Sequence, residues 1–84
     1  MTFNFGLETV LEEIDETRNS IAVESKVRPA TVHDLFNGST KRIELPTIQR
    51  ILDAINEIAR KKGITKTYTL NDIIGYTYEK DAQQ

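Results

Sequence analysis

Apolar residues recur along this chain at helical spacing, and helix-breaking residues interrupt them at short intervals. Leu7, Val10, Leu11 and Ile14 fall at i, i+3, i+4 and i+7, one face of an α-helix, with acidic residues on the other side. Thr17 is placed to cap a second, shorter helix whose Ile21 and Ala22 face inward, with Val27 just beyond it. Pro29 suits the first position of a third helix, because the N–H it lacks would be unpaired there, and Asn37-Gly38 ends that helix. Pro46 opens a longer helix that keeps Leu45, Ile48, Ile51, Leu52, Ile55, Ile58 and Ala59 at helical spacing and stops at Gly63. Its last turn holds Arg60, Lys61 and Lys62, where cations suit the helix dipole. Thr69 and Asp72 form a capping-box variant ahead of a last short helix with Leu70, Ile73 and Ile74. Strand signals are poor: "TKTYT" at 65–69 alternates only briefly, and "MTFNFG" at 1–6 reads as a lead-in. The expected fold class is all-α, a compact five-helix bundle, with residues 1–76 as one domain and 77–84 as a C-terminal tail.

A chain of 84 residues without cysteine has neither a disulfide nor a thiolate metal site to staple it. It needs a compact core, a second copy, or both. Its apolar runs are too short for a signal peptide or a membrane span, so a soluble, cytoplasmic protein is expected.

The net charge of −2 hides a division along the chain. Residues 1–16 carry five acids and no base, −5; residues 17–66 carry ten Lys/Arg against five Asp/Glu, +5; residues 67–84 carry three acids against one base, −2. Positive charge is concentrated in the middle, and a local field attracts a polyanion more than the total does.

Within that basic region lies "KVRPATVHDLFNG", residues 26–38. Between the proline and Asn-Gly there is room for about two turns of helix. Val32, Leu35 and Phe36 fall on one face, and Ala30, Thr31, His33, Asp34 and Asn37 on the other. Two short helices, tightly joined and followed by the basic loop "STKRIE" at 39–44, fit a helix-turn-helix. There the first helix crosses the DNA backbone and the second enters the major groove, ~12 Å wide, to read base edges. A reading face is short because only its first turns reach bases. It is chemically mixed because base edges offer donors, acceptors and methyl groups.

These residues resemble the Cro/phage-repressor-type (XRE-like) helix-turn-helix regulators over residues 7–75. That family's second helix commonly opens Thr-Gln, continues Leu-Ala, and is followed by a turn Gly and an Ile or Val. Thr17, Ile21, Ala22 and Val27 fit. Its third helix commonly reads Ser-Pro-x-x-Ile-x-x-Leu-x-Asn-Gly, and Arg28, Pro29, Val32, Leu35, Asn37 and Gly38 stand there. Its fourth commonly reads Leu-x-Thr-Leu-x-x-Ile-x-x-Ala-Leu, matched by Leu45, Thr47, Ile48, Ile51, Ala54 and Ile55. The resemblance implies a lambda-repressor-like domain.

Three departures stand out. Arg18 replaces the usual Gln, which in the family touches phosphate and braces the reading helix; Arg also reaches phosphate. Lys26 replaces the turn Gly, so either Lys26 takes a left-handed backbone, costing of order 1 kcal/mol, or the turn is rebuilt. Arg28 replaces the Ser/Thr cap, losing a capping oxygen worth ~1 kcal/mol and adding a cation at the lip of the groove.

By the resemblance, Arg18, Arg28, Asn37, Lys41 and Arg42 would hold phosphates, and Ala30, Thr31, His33 and Asp34 would face the bases. Plainer readings exist for several. His33 and Asp34 suit a solvated face, Lys41 and Arg42 a solvated loop, and Arg60, Lys61 and Lys62 a dipole-matched helix end. The expected function is a sequence-specific DNA-binding regulator, a small repressor of a phage or mobile element. It would bind double-stranded DNA at a pseudo-palindromic operator as a homodimer. Candidate dimer surfaces are the C-terminal helix with Ile74, Tyr76 and Tyr78, or the lead-in Phe3 and Phe5. The alternative is a module that grips a protein partner, as an antitoxin or anti-regulator does; the acidic first helix and Asp34 favour it. An enzyme is not expected, nor a cofactor or metal: there is no cysteine, a single histidine and no Gly-rich phosphate loop.

Overall fold

The structure is a computed structural model and describes residues 2–78. In chain order it runs β1 (Thr2–Phe5), α1 (Leu7–Ile14), α2 (Arg18–Ser25), α3 (Pro29–Asn37), α4 (Leu45–Lys61), α5 (Leu70–Ile73) and β2 (Ile74–Thr77). The five expected helices are present. Each turns its apolar stripe inward: Leu7, Ile14, Ile21, Val32, Leu35, Ile51, Ile55 and Ile73 are fully buried in one core. Each such side chain contributes about 1.5–3 kcal/mol of transfer free energy, opposed by the entropy of ordering the chain.

Helices α1, α2 and α3 each stop at a left-handed residue, which lets the next backbone N–H groups return to orphan carbonyls. These residues are Asp15 (φ 56°), Lys26 (φ 59°) and Gly38 (φ 75°). Only the third is glycine. The cation that serves the end of α1 comes from elsewhere. Lys62, just past α4, donates from Nζ to the carbonyls of Ile14 at 2.7 Å and Asp15 at 3.0 Å. It also pairs with Glu16 at 2.7 Å. That ion pair, with a second hydrogen bond from Ser20, holds the Glu16 carboxyl below the usual carboxylate range.

The fold is not all-α. Residues 2–5 and 74–77 pair as a two-stranded antiparallel sheet, Thr2 opposite Thr77, Phe3 opposite Tyr76, Asn4 opposite Gly75 and Phe5 opposite Ile74. The lead-in is thus a strand, and the C-terminal helix ends at Ile73, one residue before Ile74 opens the second strand. Tertiary pairing overrides local signal here: each strand has four residues, and no local turn joins them. Gly6 makes the junction possible. Its N–H donates to the Ile73 carbonyl at 2.8 Å, and a Cβ there would lie 2.3 Å from the Asp72 carbonyl oxygen. Of the expected tail, Thr77 closes β2 and residues 79–84 lie outside the described residues. Leu45 and Leu70, read as apolar positions of α4 and α5, are exposed. Among the described residues no helix is long and apolar enough to cross a membrane.

Candidate nucleic-acid interface

Thr17 caps α2, accepting from the Ser20 N–H at 3.1 Å. The α2–α3 turn is three residues, Lys26, Val27 and Arg28. Lys26 holds the left-handed conformation that the resemblance assigned to glycine. Ser25, the buried polar side chain of the region, accepts from the Val27 N–H at 3.3 Å and so ties the turn. Arg28 caps α3 without a side-chain hydrogen bond, and Pro29 follows at the first turn. Val32 and Leu35 are buried, which fixes how α3 is rotated about its own axis. As a result Ala30, His33, Asp34 and Asn37 are exposed and Thr31 is half-buried.

Two grooves flank the N-terminal half of α3. Thr17, Arg18, Asn19, Pro29 and His33 line one. On the other side Thr31 faces α4, with Lys26, Arg28, Glu44, Thr47 and Arg50 around it. That side continues past Thr31 and Thr47 to Arg42. The structure therefore brings Arg18, Arg28, Thr31, His33 and Arg42 to the walls of these grooves. Asn37, at the far end of α3, is in neither wall, and neither is Lys41, which precedes Arg42 on the exposed loop.

Arg18 has a structural task as well as a charge. Its guanidinium carbon sits 4.6 Å from the centroid of the Phe36 ring. Its Nη1 lies 3.1 Å from His33 Nδ1 and 3.2 Å from Nε2. In a neutral imidazole one nitrogen accepts and the other carries the hydrogen. Asp34 has a local partner in Ser39, whose Oγ is 3.4 Å from Oδ1.

The distribution of ion pairs separates the cations into two groups. Arg60 pairs with Glu57, Lys62 with Glu16, and Lys66 with Glu13 and Asp72. Lys61 stands next to the Arg60–Glu57 pair and adds to the charge that lowers the Glu57 carboxyl. Among the described residues Arg18, Lys26, Arg28, Lys41, Arg42, Arg50 and Lys61 form no ion pair. All of these but the half-buried Arg18 are exposed. Glu44 is the one acid on the wall that Lys26, Arg28 and Arg50 share.

Lys26 and Arg50 are the site residues that sequence reasoning missed. In the sequence Lys26 reads as a turn residue in place of glycine, which draws attention to its backbone rather than its charge. Arg50 carried a usable signal: it stands three residues after Thr47, hence on the same side of α4.

No family model, no curated protein and no solved structure matches this chain.

Proposed function

We propose that this chain is a sequence-specific DNA-binding regulator of the Cro/phage-repressor type, a small repressor that occupies a pseudo-palindromic operator as a homodimer in the cytoplasm. One observation carries the reading: five cations without an acid partner, Arg18, Lys26, Arg28, Arg42 and Arg50, line the grooves beside the exposed face of α3, while Arg60, Lys62 and Lys66 pair with carboxylates. Unpaired cations cost little in water and gain when a phosphate backbone replaces the solvent. In this reading Arg18, Arg28, Lys41, Arg42 and Asn37, joined by Lys26 and Arg50, hold phosphates and set the register. Ala30, Thr31, His33 and Asp34 meet the base edges. The Ala30 side chain and the Thr31 methyl suit a thymine methyl, and Asp34 accepts from cytosine N4.

The test is selection of bound duplexes from a random pool, followed by titration of the winner across salt. A reader making ~6 phosphate contacts loses affinity with a log–log slope near −5. A flat salt response, or no enriched sequence, removes the proposal and favours a module that grips a protein partner.

A further inference from the structure

Lys62, the residue after α4, is where that helix reaches the corner between α1 and α2. An ammonium has three N–H groups, and here all three are engaged. They go to the Ile14 carbonyl at 2.7 Å, the Asp15 carbonyl at 3.0 Å and Glu16 Oε2 at 2.7 Å. Helix α1 has no basic residue in its own last turn, so Lys62 supplies the cation that its C-terminal carbonyls favour. The other oxygen of Glu16 accepts from the Ser20 hydroxyl, and the Ser20 N–H donates to Thr17 Oγ1 at 3.1 Å. Glu16 and Thr17 lead into α2, and Ser20 belongs to its first turn. The chain of contacts therefore runs from the end of α4, through one carboxylate, into the turn that carries Arg18.

We propose that Lys62 is a positioning residue for DNA binding: it sets the first turn of α2, and through Arg18 the place of His33 on α3, without touching DNA itself. The purpose of this arrangement rests on the DNA-binding proposal; the coupling of Lys62 to His33 does not. A solvated pair between two flexible side chains holds little. Here two of the three acceptors are backbone carbonyls, and the donor's own backbone is fixed. The Lys62 N–H donates to the carbonyls of Ile58 at 3.0 Å and Ala59 at 3.2 Å. Thr17 and Arg18 border two grooves, one shared with Glu16 and Phe36, the other with Asn19, Pro29 and His33. Arg18 lies over the Phe36 ring and against His33, so a shift at the start of α2 carries these contacts with it. Helix α4, 17 residues and ~25 Å long, also carries Thr47 and Arg50, on the wall near Thr31. One rigid helix thus sets the start of α2 from one end and a wall of the α3 groove from the other. Lys66 provides the contrast: its carboxylate partners, Glu13 and Asp72, lead to neither α2 nor α3.

The experiment compares wild type with Lys62→Met and Lys66→Met. Methionine keeps an unbranched stem and removes the charge. His33 is the only histidine, so its ring proton signals report this one position in a one-dimensional NMR spectrum. Spectra are taken without DNA, at one pH and at a temperature where circular dichroism shows all three chains folded. Lys62→Met is expected to move the His33 signals. Lys66→Met, which also loses ion pairs, is expected to leave them in place. If Lys62→Met does not fold, Glu16→Gln replaces it with the same expectation, since it keeps an acceptor for Ser20 and removes the charge facing Lys62. On the selected duplex, Lys62→Met is expected to weaken binding about 3- to 10-fold with the salt slope unchanged. His33 signals that ignore the loss of the clasp, or that answer equally to Lys66→Met, overturn the inference. So does a salt slope reduced by about 1, which would make Lys62 a direct phosphate contact. If His33 responds as expected but wild type enriches no duplex, the DNA reading fails and the coupling stands. If wild type binds DNA and His33 does not respond, the coupling fails and the DNA reading stands.

Discussion

Arg18 and His33 meet across the α2–α3 crossing, Nη1 lying 3.1 Å from Nδ1, so a cation assigned to phosphate holds a ring assigned to bases. Whichever ring nitrogen accepts from Arg18, the other carries the hydrogen and can donate to guanine N7 or O6, or to thymine O4. Arg18 also covers Phe36. A double-mutant cycle with Arg18→Ala and His33→Ala, read by denaturant unfolding in the absence of DNA, is expected to give a coupling of order 0.5–1 kcal/mol. Strict additivity would mean that Arg18 does not brace α3.

Lys26 pays a backbone penalty at φ 59° that glycine would not. Lys26→Gly is therefore expected to stabilise the free protein by ~1 kcal/mol, equivalent to a rise in Tm of about 4–8 °C for a domain of this size. The same change removes a cation, so DNA affinity should fall even as stability rises. Thermal melts and DNA titrations on one preparation measure both directions.

Under the DNA-binding proposal, phosphate and base contacts respond differently to substitution. Arg28→Ala and Arg50→Ala are expected to weaken binding to all sequences alike, each reducing the salt slope by about 1. Thr31→Ala should instead relax preference at one base pair by 1–3 kcal/mol with the slope unchanged. Competition titrations over single-base operator variants at two salt concentrations separate these outcomes.

Tyr68 is buried, its hydroxyl donating to Glu13 Oε1 at 2.9 Å. Burial first, and then that hydrogen bond, push the phenol up from 10.0 to about 12. Folding thus favours the protonated phenol. Its contribution is complete below pH ~10 and is lost as pH rises from about 10 towards 12, at up to ~1.4 kcal/mol per pH unit. Unfolding free energies across that window should fall more steeply for wild type than for Tyr68→Phe. Parallel curves would count against the assignment.

Much of the fold was legible because most of it is local. The i, i+3, i+4, i+7 spacing from Leu7 to Ile14, the Thr17 cap, the Pro29 start and the Gly38 stop each act within a few residues, and each stands where the sequence puts it. The sheet was not legible because its information is divided. Phe3 has no meaning as a strand residue until Tyr76 is beside it, and neither four-residue segment shows enough alternation by itself. The same division misplaced Ile74, whose apolar character fits the last turn of a helix and the first position of a strand equally well. At the site, exposure of His33 and Asp34 followed from the burial of Val32 and Leu35 on the same helix. For Arg50 the spacing from Thr47 gives the side of α4 it stands on, but not that this side approaches α3 near Thr31, which is a tertiary relation.

The pairing of residues 2–5 with 74–77 also sets a schedule for biosynthesis. At about 5–20 residues per second, the ribosome makes β2 several seconds after β1. Throughout that interval β1 is a short apolar strand with no mate on its own chain. Helices α1 to α4 can form and collapse as they emerge, whereas closure of the sheet waits until residues 74–77 have been made. Ribosome-bound nascent chains truncated before Ile74 would hold all of α3 and still lack the strand that pairs with residues 2–5.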